Sequence, residues 1–215
     1  MKEIEAKFFV LDLEKIRMRL QELEARLIQE RVLEMNIRFD LPDSGLGSKG
    51  QVLRLRQDTE ARLTYKGAGT NEQGVLNRTE IEFTVEDFEK AKNFLEALGY
   101  QSFFYYEKYR TTYDIPQASE VSPLFGASEA STHIMLDELP YGNFVEIEGE
   151  SSEAIRAVAE KLNLQWDTAI PISYHLLFKR LCLIHPDLDP ATLSFAALNG
   201  LNITVAELSI HAADE

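Results

Sequence analysis

Three stretches of this chain carry the same alternating triplet, Glu3-Ile4-Glu5, Glu80-Ile81-Glu82 and Glu146-Ile147-Glu148. Successive side chains of a β-strand point to opposite faces, so the two glutamates of each triplet share one face and the isoleucine lies on the other. The face with the glutamates also gains the basic side chains Lys7, Arg54, Arg56, Arg78, Lys108 and Arg110. The opposite face carries Ile4, Ala6, Phe8, Leu53, Leu55, Phe83 and Val145. This pattern predicts a sheet wrapped around a charged interior that suits a metal ion and a polyanion.

Turn, glycine and capping signals divide the chain into strands and a few helices. The predicted strands cover residues 2–10, 32–41, 52–57, 62–66, 75–85, 102–113, 132–137 and 143–148. The predicted helices cover residues 13–27, 86–98, 152–162 and 172–184, and residues 116–131 form a long connection. Eight mostly antiparallel strands are enough to close a barrel, which also removes exposed strand edges. The predicted fold class is therefore α+β, an eight-stranded antiparallel β-barrel with flanking helices.

The composition is that of an ordinary soluble globular protein, with 45% hydrophobic and 27% charged residues among 215. No apolar run approaches the ~20 residues of a membrane span, and the first residues form a charged strand rather than a signal peptide. The single cysteine, Cys182, excludes an internal disulfide and fits a reducing compartment, so we expect a cytoplasmic protein. The net charge of −14 argues against nucleic acids and anionic membranes as partners. It does not exclude a phosphate ligand, because the basic residues cluster on the strand faces.

The last part of the chain has helix signals of its own. We interpret residues 1–180 as one domain and residues 181–215 as a C-terminal helical extension. Asp189-Pro190 predicts the start of one helix, and the segment from Thr204 to Glu207 forms a capping box for another. The apolar residues of the extension either pack on the barrel or form a contact in a homodimer.

The first strand offers a compact set of ligands. Glu3, Glu5 and Lys7 place two carboxylates and an ammonium group on one face. Carboxylates are hard oxygen ligands that suit Mg²⁺ or Mn²⁺, and the lysine can meet a phosphate that the metal bridges. This spacing alone is not specific, and charged alternation also fits the solvent side of an open sheet.

A longer ordered set of motifs makes the pattern specific. After the first strand come Arg54-Leu55-Arg56, Lys66, Arg78-Thr79-Glu80-Ile81-Glu82, Lys108-Tyr109-Arg110, Leu136-Asp137-Glu138 and Gly142-Asn143-Phe144-Val145-Glu146-Ile147-Glu148. This set resembles the CYTH family, the triphosphate tunnel metalloenzymes that include class IV adenylate cyclases and thiamine triphosphatases. The resemblance covers residues 1–178 and ends in Ser173-Tyr174, which is similar to the closing helix of the family. It implies an eight-stranded antiparallel barrel that forms a tunnel.

The resemblance also implies roles for individual residues. The metal would be surrounded by Glu3, Glu5, Asp137, Glu146 and Glu148. The triphosphate would be bound by Lys7, Arg54, Arg56, Lys66, Arg78, Lys108 and Arg110. The supporting residues would be Glu80, Glu82 and Arg38, and the catalytic set would comprise Glu3, Glu5, Lys7, Lys66 and Arg110.

Three functions are compatible with this resemblance. The leading hypothesis is a triphosphatase that uses Mg²⁺ or Mn²⁺ and acts on tripolyphosphate, thiamine triphosphate or a nucleoside triphosphate such as ATP. The first alternative is a class IV-type adenylate cyclase that converts ATP to cyclic AMP and pyrophosphate. The second is a non-catalytic module that binds polyphosphate or nucleotides, which five intact metal-ligand candidates disfavour. A triphosphate carries ~4 or more negative charges near neutral pH, so any of these functions needs several fixed cations.

Overall fold

The computed structural model of the protein describes residues 2–116 and 131–215. The predicted long connection falls largely on residues 117–130, outside the described residues. The strands are β1 (Lys2–Val10), β2 (Arg26–Asp40), β3 (Val52–Gln57), β4 (Ala61–Lys66), β5 (Thr70–Glu72), β6 (Val75–Val85), β7 (Gln101–Pro116), β8 (Ser131–Leu139), β9 (Gly142–Glu148) and β10 (Thr192–Leu193). The helices are α1 (Leu13–Glu22), α2 (Phe88–Ala97), α3 (Ser152–Lys161), α4 (Tyr174–Ile184) and α5 (Val205–Leu208).

Eight of the described strands close into a ring. The order of hydrogen-bonded neighbours is β1-β9-β8-β7-β2-β3-β4-β6, and β6 returns to pair with β1. Each neighbouring pair around the ring is antiparallel, and the closing pair runs from Lys2 opposite Thr79 to Ala6 opposite Val75. The predicted eight-stranded antiparallel barrel is therefore confirmed, although the ring is not evenly barrel-shaped. The short strands β5 and β10 are not part of this ring; β5 pairs with β6, and β10 pairs with β7.

The apolar faces of the strands point outward, where helices cover them. On β1 and β9, Phe8 and Ile147 are fully buried, and they belong to one core cluster with Ile16 of α1 and Ile155 of α3. Burying this apolar surface between the sheet and the helices holds the helices on the outside of the ring. The alternate residues of the same strands, which carry the charges, consequently face the interior. The core thus lies around the tunnel, as the alternation predicts.

The outer face is not covered everywhere. The predicted apolar face of β6 includes Ile81 and Phe83, and their side chains are 54% and 53% exposed. Helix α2 packs mainly on β3, β4 and β7 and leaves these two side chains largely uncovered. The described helices include none that is long and apolar enough to cross a membrane.

Helix α1 is shorter than its apolar periodicity predicts. It begins after Asp12, whose carboxylate accepts hydrogen bonds from the backbone N–H groups of Glu14 and Lys15. It ends at Glu22, and Glu24 has a φ of 54°, a left-handed conformation that stops a helix. The predicted end near residue 27 is therefore wrong, because the following residues belong to β2. That strand is longer than predicted and contains register shifts near Leu27.

The C-terminal extension packs on the barrel. Strand β10 pairs in parallel with β7, and the backbone N–H of Ala213 donates to the carbonyl of Phe9 at 2.8 Å. The capping box predicted at Thr204 is confirmed at the start of α5. The helix predicted at Asp189 does not form, because its carboxylate instead accepts from Ala191 N–H and the Thr192 hydroxyl in a tight turn.

Candidate active site

The ring encloses a cavity of about 250 Å³ with a strongly charged wall. Residues Ser173, Tyr174 and His175, at the beginning of α4, line part of it. All but one of the predicted site residues line the same cavity: Glu3, Glu5, Lys7, Arg38, Arg54, Arg56, Lys66, Arg78, Glu80, Glu82, Lys108, Arg110, Glu146 and Glu148. The exception is Asp137, which is fully buried behind the wall. The sequence alternation therefore brings distant strands together around one enclosed space.

Glu3 is held between two basic side chains of neighbouring strands. Arg78 Nε donates to its Oε2 at 2.7 Å, and the Lys66 ammonium forms an ion pair with Oε1. Burial by itself would raise the pKa of this carboxyl, but Lys66 and Arg78 outweigh burial and lower the pKa to about 2. Glu3 is therefore ionised and fully committed to cations of the protein.

Glu5 and Glu148 have far less compensation. They lie directly opposite each other in the β1–β9 pair. Glu5 accepts one hydrogen bond, from Arg78 Nη2 at 3.2 Å, whereas Glu148 has no hydrogen bond or ion pair with a described residue. Burial raises the pKa of both carboxyls, and repulsion from nearby glutamates adds to it, so that the pKa of Glu148 is about 7. This pair marks the part of the cavity where the negative charge of the described glutamates is least compensated by cations.

Glu146 lies between two cations. Lys7 Nζ is 3.2 Å from its Oε1, and the Arg110 guanidinium forms an ion pair with Oε2. Burial opposes ionisation here, but Lys7 and Arg110 outweigh it and hold the pKa of Glu146 well below its usual range. The ammonium of Lys7 also lies 4.2 Å from the ring centroid of Tyr174.

Asp137 accepts hydrogen bonds from three side chains. Arg110 binds it through two nitrogens, with Nε at 2.6 Å from Oδ1 and Nη2 at 2.5 Å from Oδ2. Lys108 Nζ lies 2.9 Å from Oδ2, and the Tyr174 hydroxyl donates to the same oxygen at 2.8 Å. Donors from strand β7 and helix α4 thus converge on this carboxylate of β8.

Arg54 and Arg56 extend along the opposite wall. Glu82 accepts from Arg56 Nη2 at 3.1 Å and from the buried Thr64 hydroxyl at 2.6 Å, and Arg54 Nη2 is 3.6 Å away. Two arginines and one hydroxyl therefore fix the position of Glu82. This network supports the assignment of Glu82 as an orienting residue for the cations.

Arg38 differs from the other cavity arginines in its partners. Its Nη1 donates to His175 Nδ1 at 3.3 Å, and it makes no ion pair with any carboxylate of the described residues. Burial, with Arg38 and Lys179 nearby, lowers the pKa of His175 to about 4, so the imidazole is neutral at physiological pH. Arg38 therefore presents to the cavity a positive charge that no described carboxylate neutralises through an ion pair.

Glu34 is a member of the site that the motif comparison missed. It is 1% exposed, and its carboxylate lies 3.4 Å from Arg56, 3.4 Å from Lys108 and 3.8 Å from Arg110. Burial opposes its ionisation, but these three cations lower the pKa of Glu34 to about 2. The available signal was strand parity, since Glu34 lies four residues before Arg38 on the same face of β2.

Replacing Glu34 with glutamine should therefore destabilise the protein at neutral pH, by about 3 kcal/mol, because three buried cations lose a shared carboxylate. The folded pKa lies below the unfolded one, so this stabilisation is present above about pH 4.5 and disappears as the pH falls toward 2. Urea unfolding of the wild type and E34Q from pH 7 downward should show the difference shrinking. E30Q, at an exposed site on the same strand, should change little, and an E34Q penalty that does not depend on pH would contradict the assignment.

The sequence implies a divalent metal ion, and the oxygen donors of the cavity show which residues would fit one. No group of three or more acidic, histidine or cysteine side chains among the described residues is already arranged to hold a metal. Glu5 and Glu148 nevertheless fit one, because they are adjacent oxygen donors with raised pKa values and little cationic compensation. Glu3 and Glu146 lie next to this pair but are bound to cations of the protein. Asp137 fits a metal poorly, because protein donors surround it.

A closed ring of antiparallel strands with acidic and basic rows turned inward defines a barrel with a charged tunnel. A family model, the CYTH domain, matches residues 1–170, so this chain belongs to the CYTH family. Members of this family process triphosphates. No curated protein matches the chain by sequence.

Solved structures share the fold. A protein from Vibrio parahaemolyticus, described as a proposed adenylate cyclase, is 21% identical, with a TM-score of 0.65 over 80% of this chain and 94% of that chain. A protein from Pyrococcus horikoshii OT3 is 24% identical, with a TM-score of 0.61 over 80% of this chain and 96% of that chain. A proposed adenylyl cyclase from Hippeastrum, described as having a dominant triphosphatase activity, is 17% identical, with a TM-score of 0.53 over 74% of this chain and 84% of that chain.

Proposed function

We propose that this protein is a metal-dependent triphosphatase that hydrolyses tripolyphosphate or an organic triphosphate inside the tunnel. The observation that carries this proposal is the charge arrangement of one enclosed cavity. Eight basic side chains and six glutamates line it. The basic residues come from six strands of the ring, so they surround a ligand rather than form a surface patch.

The charge balance supports a requirement for a metal. The eight cations are matched by the six lining glutamates together with Glu34, Asp58 and Asp137, which pair with lining cations from behind the wall. A triphosphate would add ~4 or more negative charges to this balanced interior, which burial would make very unfavourable. A divalent cation at Glu5 and Glu148 would offset that charge where the protein leaves it uncompensated.

The chain's own residues supply binding and orientation. The planar guanidinium groups of Arg54 and Arg56 suit bidentate contacts with phosphate. The ammonium groups of Lys66 and Lys108 act as compact point charges. The low exposure of these side chains within the ring strengthens their electrostatic contacts with an anion. A divalent ion bound at Glu5 and Glu148 would polarise phosphate oxygens and activate a water molecule. Holding the triphosphate in line with that water supplies much of the acceleration in such reactions.

Hydrolysis is favoured over cyclisation because the wall offers little surface to a nucleobase. The aromatic lining residues Phe104, Tyr106 and Tyr174 are 2%, 7% and 8% exposed, since they pack against other aromatic side chains. A base-specific cyclase needs a platform or polar groups that read adenine, whereas a triphosphatase needs only the phosphate chain.

A product assay tests the proposal. The protein should release free phosphate from tripolyphosphate with Mg²⁺ or Mn²⁺ present, and removal of the metal with EDTA should reduce the rate by at least about hundredfold. Thiamine triphosphate and ATP serve as the organic substrates in parallel reactions. Pyrophosphate with cyclic AMP from ATP would instead identify an adenylate cyclase, and tight tripolyphosphate binding without any product would identify a non-catalytic binding module.

A further inference from the structure

We propose that Asp137 and Tyr174 form a positioning pair for the basic side chains of the tunnel, and that Asp137 is not a metal ligand. This assignment removes one carboxylate from the metal set that the sequence motifs imply. It gives a role to the first helical residue of α4, which the motif set left without one. It rests on the proposed function only for the identity of the anion that the basic residues bind.

The first argument is that the oxygens of Asp137 are already saturated. An ionised carboxylate has about four lone-pair sites. Four donor atoms occupy them, namely two from Arg110, one from Lys108 and the Tyr174 hydroxyl, all within 2.9 Å. A metal ion could bind only by displacing these buried donors, and Lys108 and Arg110 would each lose one of their carboxylate partners.

The second argument is position. Asp137 is 0% exposed and does not line the cavity, whereas Glu5 and Glu148 do. Its neighbours Lys108 and Arg110 do line the cavity, so they separate the carboxylate from the space that a ligand would occupy. Asp137 therefore acts on the ligand through the two basic side chains that it holds.

Tyr174 connects this cluster to the first strand. Its hydroxyl donates to Asp137, while its ring lies 4.2 Å from the ammonium of Lys7 and 5.5 Å from that of Lys108. The tyrosine is itself fixed, because Tyr141 donates to its backbone carbonyl at 3.0 Å and the Phe144 ring packs against it at 5.0 Å between centroids. One side chain of α4 thus orients basic residues from two different strands.

Metal binding without substrate tests the first half of the proposal. Mn²⁺ titrations of the full chain, followed by electron paramagnetic resonance, should give D137N a dissociation constant within about threefold of the wild type. E148Q should weaken Mn²⁺ binding by at least about tenfold, as expected for a lost ligand. If D137N loses Mn²⁺ affinity as E148Q does, Asp137 is a ligand and the proposal is overturned.

Tripolyphosphate binding with Mg²⁺ present, measured over times short compared with hydrolysis, tests the second half. Y174F removes only the hydroxyl donor and changes no charge, and it should weaken tripolyphosphate binding measured by calorimetry by about fivefold or more, with Mn²⁺ binding unchanged. Y105F is the matched control, because the Tyr105 hydroxyl donates to the carboxylate of Glu107 at 2.7 Å outside the cavity. It should change neither constant. Unchanged tripolyphosphate affinity in Y174F would refute the positioning role.

The Mn²⁺ and tripolyphosphate binding measurements remain informative even if a variant does not fold or the wild type does not bind one of the ligands. If D137N does not fold, which circular dichroism would reveal, the Y174F comparison alone decides the positioning role. If the wild type binds no tripolyphosphate, the proposed function fails, but the Mn²⁺ comparison between D137N and E148Q still decides whether Asp137 is a ligand. If the wild type binds no Mn²⁺, the tripolyphosphate comparison decides instead.

Discussion

Replacing Glu148 with glutamine is expected to lower tripolyphosphate hydrolysis by about hundredfold or more, and at the same time to stabilise the metal-free protein by about 1–3 kcal/mol at pH 8. Activity falls because glutamine is a poor ligand for a divalent ion. Stability rises because the substitution removes a half-buried carboxylate that makes no ion pair with a described residue and lies near Glu3 and Glu5. Opposite changes in activity and stability are typical of a residue kept for function.

The stabilisation by E148Q should depend on pH in a defined direction. The carboxyl of Glu148 has a pKa of about 7 in the folded protein and about 4.5 when unfolded. Between these values the folded state binds more protons than the unfolded state, so the wild type loses stability as the pH rises, whereas glutamine does not titrate. Urea unfolding in EDTA at pH 5 and pH 8 should show the difference growing.

E160Q, at an exposed position of α3, is the matched control for E148Q and should leave both activity and stability nearly unchanged. Wild-type turnover in E148Q would remove Glu148 from the metal site. Equal stability of E148Q and the wild type at pH 8 would show that its charge is compensated by groups other than the described ones.

The second large effect is expected for Arg110→Ala. This arginine forms ion pairs with Asp137, Glu146 and Glu34, so its removal leaves three buried carboxylates short of a cation. We expect a loss of about 3–5 kcal/mol in the free energy of unfolding. We also expect a loss of about hundredfold or more in kcat/KM for tripolyphosphate, because a fixed arginine on the phosphate chain is lost.

Two further variants separate charge from geometry at Arg110. R110K keeps the positive charge but cannot make the paired contact with Asp137, so it should recover part of the stability and little of the activity. R156A removes an arginine from an exposed ion pair with Glu160 and should cost no more than about 0.5 kcal/mol. If R110A were as stable as R156A, the ion-pair network around Arg110 would not stabilise the fold.

The strands, and which side chains line the cavity, could largely be predicted from the sequence. Alternation in triplets such as Glu3-Ile4-Glu5 correctly separated the inward from the outward side chains, because the period of a strand is two residues whatever surrounds it. The positions at which helices and strands begin and end were less predictable. The apolar repeat of α1 runs on to Leu27, but a left-handed residue at Glu24 ends the helix, and pairing with β7 takes over the residues beyond.

The partners within the site could not be predicted in the same way. Glu34 belongs to no triplet, and its importance arises only because β2 lies next to β7 and β3 in the ring. Asp137 matches a motif that implies a metal ligand, yet the packing of α4 brings the hydroxyl of Tyr174 to it. Contacts between strands and helices far apart in the chain depend on ring closure and helix docking, which local patterns do not encode.

The sequence by itself determined which side chains face inward, that both signs of charge are present there, and that eight strands are available to close around them. Only the tertiary structure decided which carboxylates are neutralised by which cations. The strand face on which a side chain lies is fixed locally by the backbone geometry. The charge state of a buried carboxylate, by contrast, depends on its burial and on every ion within a few ångströms. Glu3 and Glu148 stand on the same kind of strand face, yet the first is bound by Lys66 and Arg78, whereas the second forms no ion pair with a described residue.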